Sequence, residues 1–232
     1  MLFRSEALVA QRKYADALDA LSGARALDTG NARVPLAIAE VRLAMGQPYE
    51  ALAAFQEARA LQPNLIAAQL GAADVLARIE RYDDAIAGYR AVLAIDPAAV
   101  PARLGLAGAL MLQGDALGAE IEYRGIADAN PNQPVALNNL AWFLAQRKRG
   151  LDQALVWAKR AVELAPEEPA FRTTLGWVHR QRGELPQAAA ELERAVGKQP
   201  TAERLYYLGQ IQADQGRKDQ RSEEHTSELQ SH

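Results

Sequence analysis

Large aromatic side chains, flanked by amide, hydroxyl and guanidinium groups, recur in the last part of the chain. Trp142 and Trp177 are separated by 35 residues, and Tyr206 follows. Rings with one polar edge suit the binding of a peptide or a helix better than bond-breaking chemistry. Packing between neighbouring helices is the competing interpretation for both tryptophans. The predicted binding residues are Asn138, Trp142, Gln146, Thr173, Trp177, Arg180, Gln181, Tyr206 and Gln210.

Groups that could perform catalysis are few and isolated. His179 stands between Val178 and Arg180, with no serine or aspartate placed beside it by a known motif. The chain has no cysteine, which excludes disulfides, thiolate metal sites and cysteine nucleophiles. Gly105 and Gly108 follow no predicted strand, so they do not indicate a phosphate loop. We therefore predict a non-enzymatic protein with no cofactor and no metal site.

A regular period shows which elements position the aromatic residues. Pro63, Pro97 and Pro131 are 34 residues apart, and each closes a similar segment. When that proline is numbered repeat position 32, small residues recur at positions 8 and 20, and a bulky residue is typical of position 24. Position 8 holds Ala39, Ala73, Ala107, Ala141 and Gly176, position 20 holds Ala51, Ala85, Ala119, Ala154 and Ala188, and position 24 holds Phe55, Tyr89, Tyr123, Ala158 and Leu192. Small residues at 8 and 20 would let two helices approach closely, and the residue at 24 would fill the gap beside them.

This pattern resembles the tetratricopeptide repeat, a unit of two helices, A and B, that stacks into a solenoid. The resemblance implies an all-α fold, a right-handed superhelix, in which the A helices line a concave groove. It places the predicted binding residues at groove-facing positions. Gly46, Gly114 and Gly183 fall at the turn between the two helices, where a residue free to adopt positive φ ends helix A. The predicted units are 1–31 (partial), 32–65, 66–99, 100–133, 134–168, 169–201 and a half repeat at 202–220, which together form a single solenoid over 1–220.

Two segments of the predicted groove suggest a biological setting. The stretches from Asn138 to Trp142 and from Thr174 to Trp177 resemble repeats of bacterial proteins in exopolysaccharide and exosortase-linked envelope systems. The resemblance implies a scaffold that binds a protein or peptide in its groove. The alternative is that the repeats form one arm of a larger enzyme or export machine. Compartment stays open between cytoplasm and periplasm.

The charge of the chain narrows the choice of partner. The formal net charge is −3, and the sequence has no concentrated basic face of the kind that phosphate binding needs, so nucleic acid is not predicted. No run of 18 apolar residues is present, so we predict no membrane insertion within this sequence.

The last residues interrupt the repeat. Residues 221–232 resemble the translated read-through of a sequencing adapter, so we predict a non-native, disordered tail there and a natural protein that continues beyond residue 220. The helix that carries Leu205, Leu208 and Ile211 would then lack a B helix to cover it. We expect that helix to fray or to self-associate weakly, in a chain that is otherwise a monomer.

Overall fold

The computed structural model contains only α-helices in the part of the chain that it describes. It describes the backbone of residues 2–230 and the side chains of Ser5 and of residues 7–216. Thirteen helices and no strand occur within residues 2–230. They are α1 (Leu2–Ala10), α2 (Tyr14–Leu27), α3 (Arg33–Ala44), α4 (Pro48–Leu61), α5 (Ile66–Arg78), α6 (Tyr82–Ile95), α7 (Val100–Gln113), α8 (Ala116–Ala129), α9 (Pro134–Gln146), α10 (Leu151–Leu164), α11 (Pro169–Gln181), α12 (Leu185–Lys198) and α13 (Ala202–Gln230).

The turns between the two helices of the units contain residues in the left-handed conformation. The predicted glycines Gly46, Gly114 and Gly183 have φ values of 74°, 98° and 77°. Three non-glycine residues take the same conformation at this position in the other units, at φ 58°, 63° and 50°: Arg12, Glu80 and Lys148. A left-handed conformation costs a residue with a Cβ atom about 1–2 kcal/mol, so the stacking of the helices imposes the turn even where the residue type does not favour it.

The predicted core positions are confirmed as core. All residues at repeat positions 8, 20 and 24 are buried, including the one small residue at position 24, Ala158. Alanine at positions 8 and 20 removes the bulk that would hold the paired helices apart. Close approach of backbones therefore explains the alanine-rich composition of the chain.

The chain divides into two compact units, which we call unit 1 (Met1–Glu122) and unit 2 (Tyr123–His232). In unit 1, the aromatic ring at position 24 packs onto a glycine of the next A helix. Phe55 covers Gly71 and Tyr89 covers Gly105, with ring atoms so close to each glycine that no Cβ atom would fit. These contacts hold successive repeats of unit 1 together.

In unit 2, the last helix packs on α12. Ile211 is fully buried against Ala188 and Leu192, and Leu208 packs beside it. Leu205 is 51% exposed. Ile211 and Leu208 thus pack on the preceding helix, and the expectation that α13 frays or self-associates for lack of a following B helix stays a prediction.

The predictions about the extent of the repeats stay predictions. The side chains of residues 217–232 lie outside the described residues, and the predicted non-native tail falls among them.

Candidate functional site

Three aromatic rings from three A-type helices of unit 2 form one cluster. The ring centroids of Trp142 on α9 and Trp177 on α11 are 5.7 Å apart. Tyr207 on α13 completes the cluster, at 5.8 Å from Trp142 and 5.0 Å from Trp177. All three side chains are half-buried, so each is partly covered by its neighbours and partly open to solvent. We call Trp142, Trp177 and Tyr207 the aromatic cluster.

The third ring is not the one that the repeat register predicts. Tyr206 is 62% exposed and touches the cluster only through Tyr207, with a centroid distance of 5.9 Å. Neighbouring residues of an α-helix point about 100° apart, so an error of one position in register selects the wrong side chain. The signal that could have found Tyr207 is its separation of 34 residues from Thr173, which is the repeat period itself.

Arg180 and Gln210, both predicted binding residues, lie together beside the cluster. The guanidinium of Arg180 stacks 4.6 Å from the Trp177 ring. Its Nε donates to Asp214 Oδ2 at 2.8 Å, and its Nη1 donates to Gln210 Oε1 at 3.0 Å. Arg180 therefore ties α11 to α13 and fixes one side of the Trp177 ring.

A cleft of about 170 Å³ opens beside Trp142. Arg204 on its wall was missed by the sequence prediction. Its Nε donates to Thr173 Oγ1 at 3.3 Å, and its Nη1 donates to the backbone oxygen of Gln199 at 2.9 Å and to Gln199 Oε1 at 3.0 Å. The cleft is lined by Asn138, Trp142, Ala170, Thr173, Thr174, Glu203 and Arg204.

Two polar atoms of the predicted binding residues are buried without a hydrogen-bond partner among the described residues. They are Asn138 Oδ1 and Trp177 Nε1. The amide nitrogen of Asn138 is engaged, since it donates to Asn139 Oδ1 at 3.3 Å. An unsatisfied buried polar group costs about 1–3 kcal/mol, so such atoms call for an explanation in a native structure.

The remaining predicted residues differ in their placement. Thr173 is buried and donates from Oγ1 to the backbone oxygen of Pro169 at 3.0 Å, while it accepts from Arg204. Gln146 and Gln181 are the last residues of α9 and α11, and neither lines the cleft. The structure thus brings Asn138, Trp142 and Thr173 to the cleft.

Electrostatics at the edge of the cleft keep the Tyr207 phenol neutral. Burial, and then the nearby Glu203 carboxylate, raise the pKa of Tyr207 above its usual value. Its hydroxyl donates to Glu203 Oε1 at 3.3 Å. Tyr207 is therefore an apolar ring with a hydrogen-bond donor at its tip.

His179 is engaged elsewhere, at the turn between α11 and α12. It is buried, and its Nδ1 lies 2.6 Å from Glu184 Oε2. The contact with His179, followed by that with Arg182, lowers the pKa of Glu184. This pair joins the two ends of one turn, which is a structural task.

The fold defines a helical repeat protein, and the cluster gives unit 2 a partly exposed aromatic surface. Models of the tetratricopeptide repeat match the chain over residues 80–142, and over residues 36–100 and 173–220. The matched residues together make up more than half of the chain, which therefore belongs to the tetratricopeptide repeat family. Proteins of this family are typically non-enzymatic scaffolds for protein–protein interaction.

Individual proteins of this family resemble the chain in sequence and in structure. The chain is 30% identical over 91 residues to the TPR repeat-containing protein PA4667 of Pseudomonas aeruginosa, and the match covers 39% of this chain. It spans only 15% of the length of that relative. YrrB, described as a TPR protein with an unusual peptide-binding site, superposes with a TM-score of 0.62 at 20% identity, over 82% of this chain and 98% of YrrB.

A second solved structure covers even more of this chain. The Cut9–Hcn1 hetero-tetramer of the APC/C superposes with a TM-score of 0.77 at 17% identity, over 93% of this chain and 42% of the matched chain. At these identities, the likeness establishes a shared solenoid fold. Among the described residues, no helix is both long and apolar enough to cross a membrane.

Proposed function

We propose that this chain is a non-enzymatic scaffold that binds an extended peptide or a partner helix across α9, α11 and α13. The observation that carries the proposal is the half-exposed aromatic cluster beside the cleft in unit 2. Tryptophan and tyrosine are the residue types that most often dominate binding energy at protein interfaces. They offer large contact areas and lose little conformational entropy when they bind.

The relatives support this proposal by analogy. YrrB has a peptide-binding site, and Cut9 is part of a protein complex with Hcn1. Both share the solenoid fold, and a repeat solenoid offers an extended surface for such contacts.

Packing between helices is the competing task for the aromatic cluster. Mutual ring contacts at 5.0–5.8 Å do stabilise neighbouring helices. Full burial would be expected if packing alone had shaped the cluster, whereas all three rings remain partly open to solvent.

Selection of peptides on the immobilised chain tests the proposal. Random dodecapeptides displayed on phage would be selected on the wild-type chain, and the affinity of one recovered peptide measured by fluorescence anisotropy. We expect Trp142→Ala to weaken binding by about tenfold or more. Tyr49→Ala, which changes an exposed ring of unit 1, is the matched control and should bind like wild type.

The proposal fails if no peptide is recovered, or if Trp142→Ala binds with unchanged affinity. Circular dichroism of each variant would show that the helices remain folded.

A second candidate is that these repeats form one arm of a longer protein with its own catalytic or secretion domain. The match to a relative of which this chain spans only 15% favours it. The gene sequence on both sides of these residues decides the matter, since a glycosyltransferase or outer-membrane domain in the same reading frame would exclude a stand-alone scaffold. A place in bacterial envelope or exopolysaccharide assembly stays a prediction.

A further inference from the structure

The cleft of unit 2 contains a guanidinium whose charge is not matched by a carboxylate among the described side chains. Arg172 pairs with Glu191 at 2.9 Å, and Arg180 pairs with Asp214 at 2.8 Å. Arg204 is half-buried like them, but its hydrogen bonds go only to Thr173 and Gln199, which are neutral. A partly buried cation that lacks a counter-charge favours an anionic ligand.

The geometry of Arg204 leaves part of its hydrogen-bonding fork available. Its Nε and Nη1 are engaged, and Nη2 makes no hydrogen bond with the described residues. Glu203 also lines the cleft, but it is engaged by the Tyr207 hydroxyl and forms no ion pair with Arg204. A carboxylate is the planar acceptor that fits a free guanidinium nitrogen.

A second, independent observation in the same cleft is a buried hydrogen-bond acceptor that lacks a donor among the described residues. Asn138 Oδ1 is buried and lacks a partner among the described residues. Asn138 and Arg204 line one cleft of about 170 Å³, which is smaller than the roughly 300–1,000 Å³ of typical small-molecule pockets. A space of that size holds one short side chain of a larger ligand.

From these observations we infer that the cleft takes the side chain of an aspartate or glutamate within an extended peptide. The carboxylate pairs with Arg204, the peptide N–H of the acidic residue donates to Asn138 Oδ1, and the next side chain lies on the ring of Trp142. The inference rests on the proposed function and names the chemistry of its ligand.

Matched peptide arrays test this inference. The probes are three sets of heptapeptides, acetylated and amidated at their ends, with aspartate, asparagine or lysine at the centre and mixed residues at the flanks. We expect the wild-type chain to be retained by the aspartate set about tenfold more strongly than by the asparagine set. Raising the salt concentration from about 0.05 M to about 0.5 M should reduce that preference, because the ion pair is partly screened.

Variants separate recognition from a structural effect. Arg204→Gln should abolish the preference for aspartate, while Arg204→Lys should keep part of it. Asn138→Leu should weaken the aspartate and asparagine sets alike, since it removes the acceptor for the backbone. Arg194→Gln, which changes an exposed arginine of α12, is the matched control and should leave all retentions unchanged.

Three results would overturn the inference. They are equal retention of the aspartate and asparagine sets, a preference for aspartate that survives Arg204→Gln, and absence of retention for all three sets. The proposed function would survive any of these, provided that a phage-selected peptide still required Trp142.

Discussion

Units 1 and 2 are built on the same repeat, but they use the same repeat position for opposite purposes. Position 9 of an A helix holds Asp74 in unit 1, where it accepts a hydrogen bond from the Tyr89 hydroxyl at 2.7 Å. The same position holds Trp142 and Trp177 in unit 2, where the rings remain partly exposed. Asp74 thus forms a contact within unit 1, whereas the two rings of unit 2 contribute to the partly exposed surface on which we propose that a partner binds.

The aromatic contacts between neighbouring repeats also differ between the two units. In unit 1, the rings of Phe55 and Tyr89 are buried over glycines and hold neighbouring repeats together. In unit 2, position 24 of one repeat is Ala158, and the large rings lie instead on the A helices. Rings at position 24 thus hold neighbouring repeats of unit 1 together, whereas three rings on the A helices of unit 2 remain partly open to solvent.

The largest expected effect comes from breaking a ring–glycine contact. Gly105→Ala would place a methyl group inside the Tyr89 ring, and overpacking of this kind costs about 2–3 kcal/mol of the free energy of unfolding. Urea unfolding followed by circular dichroism measures it. Gly23→Ala, at a helical glycine with no atom within 4 Å of the added carbon, is the control and should be neutral or slightly stabilising. Equal stability of the two variants would contradict the account of unit 1.

Two substitutions at position 9, one in each unit, have the next largest expected effects. Trp142→Ala should weaken a selected peptide by about tenfold or more while it changes stability little. Asp74→Ala should leave that affinity unchanged but destabilise the chain by about 1–3 kcal/mol, because the buried Tyr89 hydroxyl loses its acceptor. Fluorescence anisotropy measures the peptide affinity of each variant, and urea unfolding measures its free energy of unfolding. The comparison breaks down if Asp74→Ala also impairs binding.

The contribution of an ion pair to the free energy of unfolding should also differ between the units, but by a smaller amount. Arg172 and Glu191 in unit 2 have side chains only 19% and 13% exposed, against 52% and 36% for Arg25 and Glu57 in unit 1. We expect Arg172→Gln to cost about 1–2 kcal/mol and Arg25→Gln less than about 0.5 kcal/mol, since exposed pairs are screened by water. Thermal unfolding resolves the two, and a larger loss for Arg25→Gln would refute this ranking.

The smallest expected effect is a pH dependence of stability that arises from Asp74 in unit 1. Burial raises the pKa of Asp74 above 3.8, against smaller opposing effects of the Tyr89 hydrogen bond and Arg78. The group is therefore easier to protonate in the folded chain, so its contribution to stability is fully present below pH 3.8 and is lost as pH rises through the higher folded pKa. Asp74→Asn keeps the acceptor and cannot ionise. The stability difference between Asp74→Asn and wild type should therefore shift in favour of the variant between about pH 3 and pH 7. Urea midpoints that differ by the same amount at both pH values would exclude this linkage.

Much of the fold follows from local sequence rules. The 34-residue period, the alanines at positions 8 and 20 and the turn glycines predicted the helix pairs and the buried positions, because each depends on the residue type at one repeat position. Glu80 and Lys148 show the limit of such rules. Their left-handed backbone is imposed by the stacking of helices and leaves no trace in residue type.

The candidate site was only partly predictable, for a reason of geometry. Trp142 and Trp177 lie in repeats with well-defined register, and the structure places them together. Tyr207 and Arg204 lie on α13, where the predicted register selected Tyr206, and a difference of a single position turns a side chain by about 100°. The family and the helix pairs were predictable from the sequence, since both follow from periodic properties. The ring that completes the cluster became apparent only in the tertiary structure, as did the guanidinium without a carboxylate partner and the amide oxygen without a donor among the described residues. Each of these depends on side chains that meet across separate helices.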